Sequence, residues 1–166
     1  MAQVVVVLGS QSDRPAFDQS GFINILKAVD VTYDVSIISA HRNLSELEEH
    51  CAQRDMDEDT IVFVGIAGMS AALAGVMAAL VPDRPVIGVP LPSEGYPDAE
   101  DALTAVFRMP PGRPVAVCSL ANAAILVCQI VATTNRDTRT VLGDYLDEQA
   151  EKRPAQISIY RSERSD

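Results

Sequence analysis

Short apolar runs alternate along the chain with stretches whose apolar residues recur at helical spacing. Each run is rich in Val or Ile, is followed by a loop, and is continuous rather than alternating. Continuous runs of this kind are typical of strands buried on both faces of a parallel sheet. They predict β-strands at residues 3–8, 33–38, 60–65, 85–89 and 114–119.

Helical spacing predicts a helix after each of these strands. Pro15 suits a first helical turn, and the apolar residues from Phe22 to Val29 continue the same pattern. Asn43 and Glu46 have the spacing of an N-cap and its reciprocal partner at the start of the second helix. The remaining predicted helices cover residues 70–80, 98–107, 122–132 and 135–152.

Five alternations of strand and helix predict an α/β fold. The expected architecture is a three-layer, flavodoxin-like parallel sheet with helices on both faces and a C-terminal helix extension. Residues 1–133 are expected to form the α/β domain, and residues 134–166 a helix and a polar tail that pack on the core or on a neighbouring subunit. The helix at 122–132 is apolar nearly all round, so it must be covered either within its own domain or by a neighbouring subunit.

Composition narrows the function classes. A net charge of -10 over 166 residues disfavours nucleic acid as a partner, because most of the surface would repel phosphate. No apolar stretch approaches the roughly 20 residues that cross a bilayer, and no signal peptide is evident, so no membrane partner is expected. Cys51, Cys118 and Cys128 lack metal-ligand spacing and are expected to be reduced thiols in a cytoplasmic protein.

Ligands of parallel α/β sheets bind beyond the carboxyl ends of the strands, which directs attention to the loops there. The first loop contains Gly9, Ser10, Ser12 and Asp13 directly before a helix. Serine hydroxyls and free N–H groups suit a phosphate, and the carboxylate of Asp13 suits a ribose hydroxyl. A plain helix cap is the alternative interpretation.

The second loop brings acid–base and anion-binding chemistry to the same edge. It reads Ser39, Ala40, His41 and Arg42. A histidine can take and return a proton near neutral pH, and an arginine can clamp a phosphate or carboxylate with two hydrogen bonds. The alternative is a surface histidine beside an arginine that starts a helix. His50 is expected to be solvated on the polar side of the following helix.

Two further loops are candidates for the walls of a site. The third includes Ala67, Gly68, Met69 and Ser70, and its small residues would let a ligand approach the backbone closely. Tight packing of strand against helix explains those small residues equally well. The fourth loop, residues 90–97, is long and polar and is expected to form a lid or a pocket wall.

These motifs, in this order, resemble the PurE family of purine biosynthesis. The resemblance extends over about residues 4–130, most of the chain. It is carried by Gly-Ser-x-Ser-Asp from Gly9, Ser-Ala-His-Arg from Ser39, Pro-Val-Ile-Gly-Val-Pro from Pro85, Arg-Met-Pro-Pro-Gly from Arg108, and Asn-Ala-Ala from Asn122.

The third loop distinguishes two classes within that family. In the mutase class it reads Ala-Ala-His-Leu-Pro-Gly, whereas residues 70–75 read Ser-Ala-Ala-Leu-Ala-Gly and contain neither the histidine nor the proline. In the class that uses carbon dioxide it reads Ala-Gly-x-Ser-Asn-x-Leu, which residues 67–73 match except that Ala71 replaces the asparagine. The resemblance therefore implies the carbon dioxide-using class II carboxylases.

This resemblance implies carboxylation of 5-aminoimidazole ribonucleotide with carbon dioxide to the 4-carboxy compound. His41 would move the proton of the ring carbon, and Asp13 would hold the ribose. The phosphate or the new carboxylate would be held by Ser10, Ser12 and Arg42, and the carbon dioxide side would be lined by Gly68, Met69 and Ser70. The resemblance implies no cofactor, whether metal, biotin or ATP, and it implies a homo-octamer.

Three other functions remain open from the sequence. One is the family's mutase reaction, which starts from N5-carboxyaminoimidazole ribonucleotide. Another is a related carboxylase that acts on a pyridine nucleotide. The third is a non-catalytic nucleotide-binding or scaffold protein, since a fold by itself does not determine function.

Overall fold

Five parallel strands form a single sheet in the computed structural model, which describes residues 2–153. The strands are β1 Val4–Leu8, β2 Tyr33–Ile37, β3 Val62–Ala67, β4 Val86–Pro90 and β5 Ala116–Val117. Their spatial order is β2-β1-β3-β4-β5, with parallel pairing throughout. This order confirms the flavodoxin-like sheet and puts the reversal of strand order between β1 and β3.

Helices cover both faces of the sheet, as predicted. They are α1 Arg14–Gln19, α2 Phe22–Ala28, α3 Leu44–Asp55, α4 Leu73–Leu80, α5 Glu100–Phe107, α6 Leu120–Ala132 and α7 Arg136–Glu151. Val4 and Val6 of β1 pack toward α1, α2, α6 and α7, whereas Val5 and Val7 pack toward α3, α4 and α5. All five residues of β1 are buried, which explains why its sequence is continuous rather than alternating.

Three local predictions need correction. The first predicted helix is two helices, because Gly21 adopts a left-handed conformation (φ 75°) between α1 and α2. The fifth strand has two residues instead of six, since it pairs only with β4 and follows Pro114, which has no N–H to donate. The side chain of Asn43 makes no capping hydrogen bond. The backbone N–H of Asn43 donates to the Ser39 carbonyl, so it is not free to bond the side chain of Glu46, as the predicted reciprocal cap requires.

The apolar helix α6 is covered mainly within its own chain. Its buried residues belong to the same core as α2, and α7 contributes Leu142 to that core. The side chain of Asn135 begins α7 by accepting hydrogen bonds of 3.0 Å from the N–H groups of Asp137 and Thr138. Val141 and Leu146 of α7 stay more than a third exposed. The boundary near residue 133 and the octamer stay predictions, and the predicted polar tail (residues 154–166) lies outside the described residues.

The cysteines are free thiols rather than ligands or disulfides. Cys51 and Cys128 are buried and Cys118 is half-buried. Burial raises the pKa of Cys51 and of Cys128 to about 11, so both are protonated at neutral pH. Within residues 2–153, no helix is long and apolar enough to span a bilayer. The expected cytoplasmic location stays a prediction.

Candidate active site

The loops that follow β1, β2, β3 and β4 meet around one cleft of about 350 Å³. Parallel strands end at the same edge of a sheet, and this cleft lies beside the reversal of strand order, where ligands of such folds bind. All twelve residues predicted for the site line it, together with four that were not predicted. The lining consists of Gly9, Ser10, Ser12, Asp13, Ser39, Ala40, His41, Arg42, Ala67, Gly68, Met69, Ser70, Ala71, Ala72, Leu73 and Ser93.

The first loop forms a 3₁₀ turn, Gln11–Asp13, instead of entering a long helix directly. Ser10 caps this turn: its Oγ accepts from the N–H of Ser12 at 3.3 Å and from the Ser12 hydroxyl at 3.0 Å. The cap interpretation is therefore confirmed for Ser10. Because α1 has only six residues, the anion-binding capacity of this loop rests on the two hydroxyls rather than on a helix dipole.

Asp13 is the one carboxylate among the described residues that line the cleft, and its residue surface is only 7 % exposed. Burial raises the pKa of this carboxyl above its usual range, while a hydrogen bond from the Ser10 main chain acts in the opposite direction. Gly9 makes this packing possible. A Cβ on Gly9 would lie 3.0 Å from the Ala67 Cβ and 3.5 Å from Asp13 Oδ2.

The second loop is a tight turn that presents His41 and Arg42 at the mouth of the cleft. The Ser39 carbonyl accepts from the N–H groups of Arg42 at 3.2 Å and Asn43 at 2.8 Å. Both side chains are exposed, and Arg42 Nε lies 3.5 Å from the Ser39 Oγ. Arg42 is the one guanidinium group and His41 the one imidazole among the described lining residues. This turn therefore brings a guanidinium group and an imidazole side by side at the cleft.

The third loop has an unusual backbone. Met69 (φ 53°) and Ala71 (φ 36°) both adopt left-handed conformations, which cost roughly 1–2 kcal/mol per residue for side chains other than glycine. The turn closes with a 3.0 Å hydrogen bond from the Ala71 N–H to the Gly68 carbonyl. Asparagine tolerates this conformation better than alanine does. Ala71 thus departs from the resembled carboxylase pattern at a position where asparagine would be favoured.

The fourth loop contributes Ser93 to the cleft, which confirms the prediction of a pocket wall for part of that loop. Sequence reasoning singled out the loop but not this serine. Tyr96 instead lines a neighbouring cleft of about 410 Å³ that shares Met69 and Ser70 with the first. Ala71, Ala72 and Leu73 were also missed, although they continue directly from the predicted third loop.

His50 is not solvated, contrary to expectation. Its side chain is 15 % exposed, and its Nε2 lies 4.0 Å from Oδ2 of Asp34, which also pairs with Arg54 Nη2 at 2.7 Å. Burial lowers the pKa of His50, and the Asp34 carboxylate opposes that effect. His50 lies on α3 and faces β2, and Asp34 of β2 points toward it. His50 does not line the cleft.

The composition of the lining bears on cofactors and substrates. Among residues 2–153, no group of three or more His, Cys, Asp or Glu side chains is placed to hold a metal ion. The cleft combines hydroxyls, one guanidinium, one carboxylate and one imidazole around small residues. Hydroxyls and a guanidinium are groups that bind anions, and an imidazole can transfer a proton near neutral pH.

Comparison with known proteins identifies the family. The family model described as AIR carboxylase matches residues 3–152 of the chain. The chain belongs to the AIR carboxylase family. This membership confirms the PurE resemblance at the level of the family.

Relatives of this family member carry two different names. The chain is 36 % identical over 152 residues to the N5-carboxyaminoimidazole ribonucleotide mutase of Methanocaldococcus jannaschii. This match covers 90 % of this chain and 91 % of the relative. The chain is 32 % identical to the phosphoribosylaminoimidazole carboxylase of Candida glabrata, covering 90 % of this chain but 26 % of that longer protein. The crystal structure of Treponema denticola PurE superposes with a TM-score of 0.80 at 25 % identity, covering 90 % and 92 % of the two chains.

The relatives therefore support the family more strongly than the class expected from the third loop. Relatives named as mutases match along most of their own length, whereas those named as carboxylases match in about a quarter of theirs. The roles assigned to individual lining residues of this AIR carboxylase family member stay predictions.

Proposed function

We propose that the chain acts in purine biosynthesis and moves the carboxyl group of N5-carboxyaminoimidazole ribonucleotide from the amino nitrogen to the ring carbon, which gives the 4-carboxy compound. The observation that supports carboxylation chemistry is the cleft itself, whereas the preference for the mutase reaction rests on the relatives named as mutases. His41, Arg42 and Asp13 line this cleft of about 350 Å³. The AIR carboxylase family model matches residues 3–152 of the same chain. A volume of this size lies in the usual range for small-molecule sites.

The ligand is oriented by groups on the first two loops. The hydroxyls of Ser10 and Ser12 and the guanidinium of Arg42 would hold the phosphate, since they are the strongest anion-binding groups in the cleft. The buried carboxylate of Asp13 would accept hydrogen bonds from ribose hydroxyls. The backbone of Gly68 to Ser70 would then face the imidazole ring, because Gly68 has no side chain and that of Ser70 is short.

His41 would move the proton that the reaction displaces. The N–C bond of the carbamate breaks to release carbon dioxide, and the amino nitrogen takes a proton from His41. The ring carbon then forms a bond to carbon dioxide, and neutral His41 takes the proton from that carbon, which restores the aromatic ring. One histidine therefore balances both proton transfers, and general acid–base catalysis of this kind contributes typically ~10²–10⁴-fold in rate.

The carboxylase reaction with free carbon dioxide is a second candidate. It is favoured by residues 67–73, which keep Gly-x-Ser-x-x-Leu, and by residues 70–75, which lack the histidine and proline of the mutase pattern. The mutase is the better-supported candidate because relatives of that name match over most of their own length. The two reactions share the second half of the mechanism, so the same roles for His41 and Arg42 serve both.

A side-by-side assay separates the candidates. The protein is given N5-carboxyaminoimidazole ribonucleotide in one reaction, and 5-aminoimidazole ribonucleotide with bicarbonate and carbon dioxide in the other. Faster formation of the 4-carboxy product from the N-carboxy compound supports the mutase, whereas the opposite result supports the carboxylase. Binding without turnover in either reaction would favour the nucleotide-binding alternative, and turnover of a pyridine nucleotide alone would favour the related carboxylase.

The His41→Asn variant tests the proton-transfer role in the same assay. Because His41 is exposed, its replacement should leave the melting temperature close to that of the wild type. Turnover should fall at least ~10²-fold while the ligand still binds. The matched control is His50→Gln, which changes the histidine that lies outside the cleft and should retain turnover. Full activity in His41→Asn would remove this histidine from the mechanism.

We extend the proposal to a homo-octamer, as the resemblance implies. Leu103 and Phe107 of α5, together with Val141 and Leu146 of α7, are apolar side chains more than a third exposed. Contact with further copies of the chain would cover such surfaces. Sedimentation equilibrium checks this assembly, and a monomer at micromolar concentration would contradict it.

A further inference from the structure

Ser93 has a buried hydroxyl for which the described residues provide no partner. Its Oγ is shielded from solvent and makes no hydrogen bond within residues 2–153, although the residue lines the candidate cleft. A buried hydroxyl without a partner is destabilising, and few such groups persist in native proteins without a reason. A ligand in the cleft would supply the missing partner once a rotation about the Cα–Cβ bond turns the hydroxyl toward the cleft.

The main chain holds Ser93 firmly in place. Its N–H donates to the Tyr96 carbonyl at 3.1 Å, and the Tyr96 N–H donates back to the Ser93 carbonyl at 2.9 Å. Gly95 makes the tight turn possible with a φ of 83°. The main chain of Ser93 is therefore fixed in a short closed loop, so only the rotation about its Cα–Cβ bond remains to be ordered when a ligand binds.

Ser93 lies against the third loop beside Gly68. A Cβ on Gly68 would be 3.1 Å from the Ser93 Cβ and 3.5 Å from its Oγ, and 3.1 Å from the Leu91 carbonyl. The absence of a side chain on Gly68 thus allows the third and fourth loops to approach each other. The Ser93 hydroxyl belongs to the wall that the proposed function assigns to the imidazole ring.

Sheet order separates this wall from the phosphate-binding groups. Ser10, Ser12 and Arg42 follow β1 and β2, whereas Gly68 and Ser93 follow β3 and β4 on the other side of the reversal. A nucleotide held by its phosphate on the first side would extend its ring toward the second. The small residues of the third loop carry no charge there, so a carboxylate on the ring would need a hydroxyl or N–H donor.

We propose that the Ser93 hydroxyl donates a hydrogen bond to the carboxyl group on the ring carbon of the nucleotide. The inference rests on the proposed function and names a further binding residue for it. Its consequence is selective: Ser93 should contribute to binding of the 4-carboxy compound and little to binding of the parent aminoimidazole ribonucleotide. A merely structural role in the fourth loop would weaken both compounds alike.

The test measures the affinity of both compounds for wild type and Ser93→Ala by calorimetry. The variant should bind the 4-carboxy compound about tenfold or more weakly, as expected for a hydrogen bond to a charged group. Its affinity for 5-aminoimidazole ribonucleotide should change less than about twofold. The melting temperature should not fall, because the Ser93 Oγ makes no bond in the described protein.

Thr104→Val is the matched control. Thr104 lines the neighbouring cleft but not the candidate one, and the substitution removes a hydroxyl at nearly constant volume. It should leave both affinities unchanged. Equal losses for the two compounds in Ser93→Ala, or no loss for either, would overturn the inference. If the wild type is active, such a result contradicts the role of Ser93 and leaves the proposed function intact. A wild type that neither binds nor converts these compounds would overturn the proposed function as well.

Discussion

Replacing Asp13 with asparagine should make the protein more stable and less active. The carboxyl group of Asp13 belongs to a residue that is only 7 % exposed, and no cation lies within ion-pair distance of it among the described residues. Asparagine has nearly the same volume and no charge, so it removes the desolvation cost without leaving a cavity. The proposed hydrogen bonds from ribose hydroxyls to a charged acceptor would weaken at the same time.

The size of each effect follows from the site. Removing one poorly compensated buried polar group is worth about 1 kcal/mol, which for a domain of this size raises the melting temperature by about 2–4 °C. A lost hydrogen bond to a charged group lowers kcat/KM by about 10–100-fold. Stability and activity should therefore change in opposite directions, as is common for residues in binding sites.

The pH dependence provides a second measurement. Because burial raises the pKa of Asp13, the folded protein holds this proton at pH values where the unfolded chain has released it. The Asp13 carboxyl therefore adds stability as the pH falls through its folded pKa and costs stability above that value. The advantage of Asp13→Asn should be largest near neutral pH and should shrink in acid, as thermal unfolding between about pH 8 and pH 4 would show.

Asp18→Asn is the matched control for this experiment. Asp18 lies on α1 at 58 % side-chain exposure and pairs with Arg14 at 3.3 Å, so its loss should change stability by less than about 0.5 kcal/mol. The reasoning is refuted if Asp13→Asn is less stable than the wild type at neutral pH. It is also refuted if its advantage does not depend on pH.

Three further substitutions test other parts of the structure. Gly88→Ala should destabilise the protein by about 1–3 kcal/mol in urea unfolding, because its Cβ would collide with Val106, and an unchanged midpoint would contradict this packing. Arg84→Ala should lower the free energy of unfolding by about 2–3 kcal/mol, because Arg84 donates to the side chain and the carbonyl of Asp55 and to the carbonyl of Thr60. A loss below about 0.5 kcal/mol would mean that water replaces these hydrogen bonds. Burial lowers the pKa of His50, so folding favours its neutral form. The stability of the wild type should therefore decline as the pH falls below the usual pKa of histidine. Thermal unfolding of His50→Gln should show a smaller decline. Parallel curves for the two proteins would contradict this role of His50.

Much of the site could be predicted because parallel strands impose a simple geometry. Apolar runs identified the strands, and residues directly after parallel strands must gather at one edge of the sheet. The Ser39 to Arg42 turn and the Gly9 to Asp13 loop therefore line the same cleft, as expected from their positions alone. Helix limits were less certain, since Gly21 and Asn43 act through backbone geometry and competing hydrogen bonds.

By itself, then, the sequence determined the α/β class, the layering and the set of loops that carry polar chemistry, because these depend on local hydrophobic patterns. Only the tertiary structure showed that Asp13 is buried, that His50 faces Asp34, and that the Ser93 hydroxyl has no partner in the described protein. The physical reason is that burial and hydrogen bonding depend on which segments pack together. Strand order brings the loop after β4 against Gly68, and that contact joins residues far apart along the chain.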